Sequence, residues 1–250
     1  MSAAVGMVPR ARRLDPLLLL AGVLLAWAAV GRWTQGVAIS GPVATFAYAG
    51  ELVTTARFWD NAGASAAAFG MAFVLSAAGG LLLGLVLGLW RFAGDVAEPV
   101  LAGFYTIPKV TLYPLVLLVF GLGVSAKVAF GIMHGLVPIT LFTVAAIRTL
   151  PPVLPRAARS LRLSAWQTIR WVLVPACLPQ IVAGLRLGFS LSLLGVLIGE
   201  MFSSQRGLGF LLVSGLAQNN VRLSTAIVLV IVVFAIGANA AMLRLTRRVA

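Results

Sequence analysis

The sequence predicts an all-α integral membrane protein with six transmembrane helices, and three observations carry that expectation. First, 61% of the 250 residues are hydrophobic and only 10% are charged, where a soluble domain has about 25% charged residues. With a mean hydropathy of +1.05, the chain has too little polar surface to cover a water-soluble globule, so a soluble enzyme is excluded. Second, the apolar residues collect into six runs near the roughly 20 residues that cross a bilayer. Third, the basic residues fall unevenly on the connections between those runs. The net charge of +13 does not mark a nucleic-acid partner, which needs basic residues clustered on one solvated face. Here the arginines are separated by long apolar stretches and read as orientation signals in a membrane.

The runs lie near Pro16 to Gly31, Ser65 to Trp90, Val100 to Gly121, Val128 to Ile147, Pro179 to Gly199 and Leu223 to Leu243. Ala26-Trp27-Ala28 in the first resembles a signal-peptidase site, but apolar character continues past it, so the run is read as a span. Cleavage there would leave the remaining topology unchanged. With the N-terminus inside, the cytoplasmic stretches hold Arg10, Arg12, Arg13, Arg91, Arg148, Arg156, Arg159, Arg162, Arg170, Arg244, Arg247 and Arg248. The outer stretches hold only Arg32, Arg57, Lys127, Arg206 and Arg222. That imbalance places both termini in the cytoplasm, in a chain that crosses the cytoplasmic membrane many times.

In the second run Gly80, Gly84 and Gly88 recur every four residues and share one helix face, where a neighbouring backbone can approach closely. In the third, Ile107-Pro108 and Pro114 interrupt the helix, because proline lacks the amide donor. Such a break in lipid needs protein or a water-filled cavity around it, so a helix broken at a central pathway and a simple kink both fit. The single Cys177 cannot pair within the chain and sits among apolar residues, as a packing residue does.

The longest inner segment, Arg148 to Val174, reads as helix, sharp turn, helix. Pro151 and Pro152 suit the start of the first helix. Ser164 and Gln167 form a capping box for the second, and Pro175 is expected to end it. Leu161, Leu163, Trp166, Ile169 and Val172 would form an apolar stripe, with Arg159, Arg162 and Arg170 turned to water or a partner. A partner groove and an anionic lipid surface suit that pattern equally well.

The stretch from Arg156-Ala157-Ala158 through Arg162 to Val172-Leu173-Val174-Pro175 resembles the loop signature of permease subunits of binding-protein-dependent ABC importers. That signature runs Glu-Ala-Ala, three residues, Gly, nine residues, then Ile-x-Leu-Pro. Ile107 to Pro114, Ala183 to Leu187, and Glu200-Met201 followed by Gly207 to Leu211 are similar to the branch serving nitrate, sulfonate and taurine. The resemblance covers roughly Ser65 to Arg248. It makes residues 1–250 a single permease domain, with 1–64 as the first span and outer loop and 65–250 as the family-like core.

The resemblance implies a homodimer, two cytoplasmic ATPase subunits that bind ATP and Mg, and an external solute-binding protein. This chain itself would be a non-catalytic subunit with no cofactor or metal, in contact otherwise only with membrane lipid. Arg156, Ala157, Ala158, Arg159, Arg162, Leu163, Trp166 and Pro175 would belong to the coupling loop that seats on the ATPase. The chain's two lysines, Lys109 and Lys127, do not sit in a phosphate loop: Gly121 to Val128 lacks the second Gly and the Ser or Thr. Two departures stand out. Arg156 replaces the family's Glu, which reverses a charge where the ATPase is expected. Arg162 replaces its Gly, and an arginine takes the left-handed conformation of a helix-ending glycine at a cost of about 1 kcal/mol.

The candidates for lining or gating a pathway are Lys109, Tyr113, His134, Arg186 and Glu200. Lys109 and Arg186, at or near membrane depth, either attract an anionic solute or satisfy themselves, Lys109 on helix-end carbonyls and Arg186 by snorkelling to the interface; the second is favoured. Glu200, near the outer end of the fifth run, is expected to be a solvated charge within reach of Arg206 or Arg222. His134 either packs or lines the pathway. An intramembrane serine protease built on Ser125 and His134 is disfavoured, since that chemistry needs the base within hydrogen-bond reach on a neighbouring helix. A self-sufficient secondary transporter or channel is the main alternative, for which an inverted repeat is the expected sign; none is visible.

Overall fold

A computed structural model of the chain describes the backbone of residues 15–249 and the side chains of residues 17–164 and 166–244. Arg10, Arg12 and Arg13, and the side chains of Arg247 and Arg248, lie outside the described residues, so the orientation argument keeps their sequence positions alone. Helices follow one another as α1 Asp15–Trp33, α2 Pro42–Leu52, α3 Ala56–Leu89, α4 Arg91–Thr106, α5 Tyr113–Phe120, α6 Val124–Arg148, α7 Val153–Ser160, α8 Ala165–Thr168, α9 Val174–Ser203, α10 Leu208–Ala217 and α11 Val221–Val249. Among the described residues there is no strand.

Four helical stretches are long and apolar enough to cross a membrane: Ala56–Leu89, Val124–Arg148, Trp166–Ser203 and Val221–Arg244. The third expected span is not a single rod. Arg91–Thr106 and Lys109–Phe120 meet at 91°, because Pro108 and Pro114 flank a 3-10 turn over Lys109–Leu112. The kink reading fails, and the break is a corner. Counted as one bent span it makes five. A sixth crossing rests on α1, whose 19 residues reach about 28 Å at 1.5 Å per residue, close to the roughly 30 Å of a hydrocarbon core. Two short helices not expected from the sequence, α2 and α10, occupy connections at the end where α6 begins and α9 ends.

The core is a three-helix packing of α3, α6 and α9, and small residues set its geometry. The Gly80, Gly84 and Gly88 face is buried against α6. A Cβ on Gly80 would lie 2.8 Å from the Cβ of Ile139, one on Gly84 2.4 Å from that of Thr143, and one on Gly88 2.6 Å from Cδ1 of Ile147. No side chain fits, so backbone approaches backbone as the spacing predicts. On α6, Gly131 meets Ala72 and Val196, and Gly135 meets Ser76 and Ser192. The central position of α6 follows: 61% of its apolar window is buried, against 11% for α11 at the periphery. Hydroxyls inside this core return to the backbone one turn back, Thr140 to Leu136 O at 2.9 Å and Thr143 to Ile139 O at 2.7 Å, which leaves neither donor unsatisfied in lipid. Cys177 is buried with its thiol toward Ala146 O at 3.4 Å, the packing role expected of it.

Candidate functional site

The connection between α6 and α9 is an exposed helical hairpin. Helix α7 starts after Pro152 and ends at Ser160. Its end is a complete Schellman motif: Leu163 N donates to Ala158 O and Arg162 N to Arg159 O, both at 3.0 Å. Arg162 takes φ 50°, the left-handed position where the related signature has glycine. The loop therefore keeps the signature's turn with a residue that dislikes it. Arg162→Gly is expected to stabilise the turn by about 1 kcal/mol, read as hydrogen exchange of the Leu163 amide slowing about fivefold.

The capping box forms in both directions. Ser164 N donates to Gln167 Oε1 at 2.8 Å, and Gln167 N donates to Ser164 Oγ at 3.2 Å. Pro175, however, does not end the second helix. Ile169–Leu173 adopts a π turn and runs directly into α9. The wider turn lets Val174 N donate to Ile169 O and makes room for the ring of Pro175, in the first turn of α9. Pro179 lies inside that helix, so the fifth span and the second loop helix are one continuous rod.

Within the hairpin, Ala158 is buried and Leu163 half-buried. Arg156, Ala157, Arg159, Arg162 and Pro175 are exposed. So are Leu161 and Trp166, each at 72%, and Trp171 at 68%, with Arg170 stacked 5.1 Å over the ring of Trp171. Of the apolar stripe, Leu161, Trp166 and Ile169 are exposed, while Leu163 and Val172 are half-buried. Its exposed part is presented outward with Arg156, Arg159 and Arg162, on a hairpin continuous with α6 and α9.

At the far end of the bundle the structure corrects the reading of Glu200. It is 1% exposed, not solvated, and pairs with neither Arg206 nor Arg222. Ser65 of α3 donates to its carboxylate at 2.7–2.8 Å, Gly209 N of α10 donates at 3.0 Å, and Lys127 Nζ of α6 lies 3.9 Å away. Lys127, expected on an outer connection, is instead a buried residue of the first turn of α6. It donates to Ser204 Oγ at 2.8 Å and Arg206 O at 3.1 Å. Above this cluster opens a cavity of 660 Å³ bounded by the N-terminal turn of α6, the end of α9 and one face of α10.

The remaining candidates are separately satisfied. The hydroxyl of Tyr113 is buried, donates to Gly199 O at 2.8 Å and shares a short hydrogen bond with Ser203. Lys109 is buried at the corner between α4 and α5, donating to Tyr105 O at 3.2 Å beneath the rings of Phe104 and Tyr105. Arg186 bonds Asn239 Oδ1 through Nη2 at 2.9 Å and so ties α9 to α11. His134 is buried, and its Nδ1 donates to Phe130 O at 2.9 Å. Ser125 lies nine residues away on the same helix and donates to Phe120 O. At about 13 Å along the axis, the two are not brought together.

Sequence reasoning missed a second cluster at the loop's base. Arg148 bonds Asp95 at 2.8 Å, Glu98 at 3.1 Å and Arg91 O at 3.1 Å, so the residue that begins the hairpin also clamps α4. It also missed Asn61 and Ser65. Their i, i+4 spacing at the start of a long apolar helix was a readable sign of a polar face turned inward.

The described residues thus form a glycine-packed helical membrane core with an exposed, charged hairpin at one end and a polar-floored cavity at the other. Residues 80–250 match the family described as binding-protein-dependent transport system inner membrane component, and the chain belongs to that family. It is a multi-pass inner-membrane protein. It is similar to the taurine transport system permease protein TauC of Escherichia coli (strain K12), 27% identical over 159 residues, which cover 64% of this chain and 58% of that one. It is also similar to the riboflavin transport system permease protein RibX of Chloroflexus aurantiacus, 36% identical over 122 residues, covering 49% and 46%. The matched region spans about half the length of these two relatives. In fold it is similar to a chain of the MetNI methionine ABC transporter solved in inward-facing conformations, with a TM-score of 0.62 at 20% identity over 77% of this chain and 94% of that one.

Proposed function

We propose that the chain is the transmembrane subunit of an ATP-driven ABC importer. Two copies would form the route for a small anionic or polar solute such as a sulfonate, taurine or nitrate, delivered by an external binding protein. Two ATPase subunits, which bind ATP and Mg, would dock on the Arg148 to Val174 hairpins. The observation that carries this reading is the hairpin: a Schellman turn and a capping box hold it rigid, yet its tryptophans and arginines are turned away from the rest of the chain. Rigid, exposed and rooted in two core helices, it is built to pass a partner's motion to the core. Both lysines are buried in helices and engaged with backbone, hydroxyl or carboxylate oxygens, which supports placing the nucleotide site on the partner ATPase.

Under this reading the hairpin faces the cytoplasm and the cavity faces outward, with both termini inside. A cysteine at Ser160 is then labelled by an impermeant reagent only from the cytoplasmic side, and one at Gln205 only from outside. Labelling of both from one side overturns the topology. The functional test is solute uptake by proteoliposomes holding the co-purified subunits, across a panel of sulfonates, taurine and nitrate. Uptake requiring ATP and the binding protein supports the assignment. Uptake by this chain alone, driven by an ion gradient, would make it a secondary transporter instead.

A further inference from the structure

The Glu200 cluster has a feature that a simple interhelical ion pair would not need. Helix α10 has ten residues, about 15 Å, so it enters the bundle from the far end without crossing it. The amide of its cap residue Gly207 and its first two amides are all claimed by side chains of other helices. Gly207 N donates to Asn61 Oδ1 at 2.8 Å, Leu208 N to Ser65 Oγ at 2.8 Å and Gly209 N to Glu200 Oε2 at 3.0 Å. A helix N-terminus attracts an anion through these amides and its dipole, and here the anion is an internal carboxylate. The contact is close enough to dictate the neighbouring sequence. A Cβ on Gly207 would lie 2.2 Å from the carboxyl carbon of Glu200, and one on Gly209 2.4 Å from Leu197 O. Gly207 also has φ 129°. The Gly207-Leu208-Gly209 run is therefore the imprint of Glu200 on the start of α10.

One face of α10, with Phe210, Val213, Ser214 and Ala217, forms a wall of the 660 Å³ cavity. An adjacent face buries Leu211 against Phe58, Leu223 and Ile227. We infer that Glu200 is a positioning residue that holds α10 as the wall of this cavity, so that a buried carboxylate sets the width of the solute's entrance. Lys127 takes part from the opposite wall: it lines the cavity, faces Glu200 and fixes the Ser204 to Arg206 turn that leads into α10. Losing the carboxylate would leave the Gly209 amide and the Ser65 hydroxyl without their acceptor and take the counter-ion from Lys127, which keeps its bonds to Ser204 and Arg206.

The role of the cavity as an entrance rests on the importer reading; the positioning of α10 does not, and two measurements separate them. In a Cys177→Ala background, Leu211→Cys reports on α10 and Ala72→Cys on the α3–α9 core, where Ala72 is 0% exposed. Labelling by an impermeant maleimide in membranes is expected to accelerate at least tenfold at position 211 in Glu200→Ala and severalfold in Glu200→Gln and Ser65→Ala. Position 72 should stay protected throughout. If Glu200→Ala exposes position 72 as well, its fold is lost and the two milder variants decide. An unchanged rate at 211 in Glu200→Gln and Ser65→Ala, with 72 protected, overturns the positioning role. In uptake assays of the assembled complex, Glu200→Gln is expected to raise the half-saturating solute concentration about tenfold while maximal ATP hydrolysis stays within twofold. Unaltered half-saturation beside accelerated labelling would keep the positioning of α10 and remove the entrance.

Discussion

Gly84→Leu is expected to abolish assembly of the folded subunit while leaving membrane insertion intact. Even one methyl at this position would lie 2.4 Å from the Cβ of Thr143 and 3.0 Å from Thr140 O. The obstacle is a β-branched side chain and a carbonyl on the central helix, neither of which can rotate away. Overpacking costs roughly 1–3 kcal/mol where neighbours can adjust, and leucine adds three more carbons where they cannot. Gly84→Ala should therefore already lower the yield of monodisperse protein in detergent, and Gly84→Leu should leave almost none. Gly70 is the internal control: it lies on the same helix, and a methyl added there would meet nothing within 4 Å, so Gly70→Ala should be neutral. Normal assembly of Gly84→Leu would mean that α3 and α6 do not pack through this face.

Arg156→Glu is expected to weaken ATPase binding, even though it restores the residue of the related signature. Arg156, Arg159 and Arg162 are all exposed on the hairpin, three positive charges within seven residues, and a partner groove that accepts them must be acidic. The substitution changes the local charge by two units. An exposed pair contributes about 0.2–1 kcal/mol and a partly buried one more, so co-purification of the ATPase should fall about three- to tenfold. An acidic-to-basic change in the groove should restore it, with the double variant's coupling measured against both singles. Equal or better binding and solute-stimulated ATP hydrolysis in Arg156→Glu would leave Arg156 without an electrostatic role.

The parts of this fold that local chemistry decides are legible in the sequence. A four-residue glycine repeat can only mark one helix face, and α6 packs on it. The capping box depends on residues three positions apart, so the Ser164–Gln167 pair is readable, whereas the left-handed Arg162 is expected only from the glycine of the related signature. The two prolines announce the break after Thr106, but its 91° corner depends on how α5 leans on α6 and is not readable.

Glu200 escapes the sequence for a different reason. Its partners Ser65 and Lys127 come from two other helices, far away in sequence, while arginines 206 and 222 are near in sequence and visible. Proximity along the chain suggests solvent, whereas tertiary packing supplies a buried partner set. Pro175 misleads because the residues before it can widen into a π turn, which no short motif records. The coupling-loop residues are found through the resemblance, and the structure adds that Arg156, Ala157, Arg159, Arg162, Trp166 and Pro175 are exposed while Ala158 is buried and Leu163 half-buried.

The central claim is that the hairpin seats on an ATPase. Its most direct test is a photo-crosslinking side chain at Trp166 in the co-expressed complex, followed by mass analysis of the adduct. A one-to-one adduct with the ATPase subunit, lost in Arg156→Glu and regained with the compensating groove change, is the predicted result. Adducts confined to lipid, with the ATPase unlabelled although co-purified, would show that the hairpin lies on the membrane surface and contradict the account.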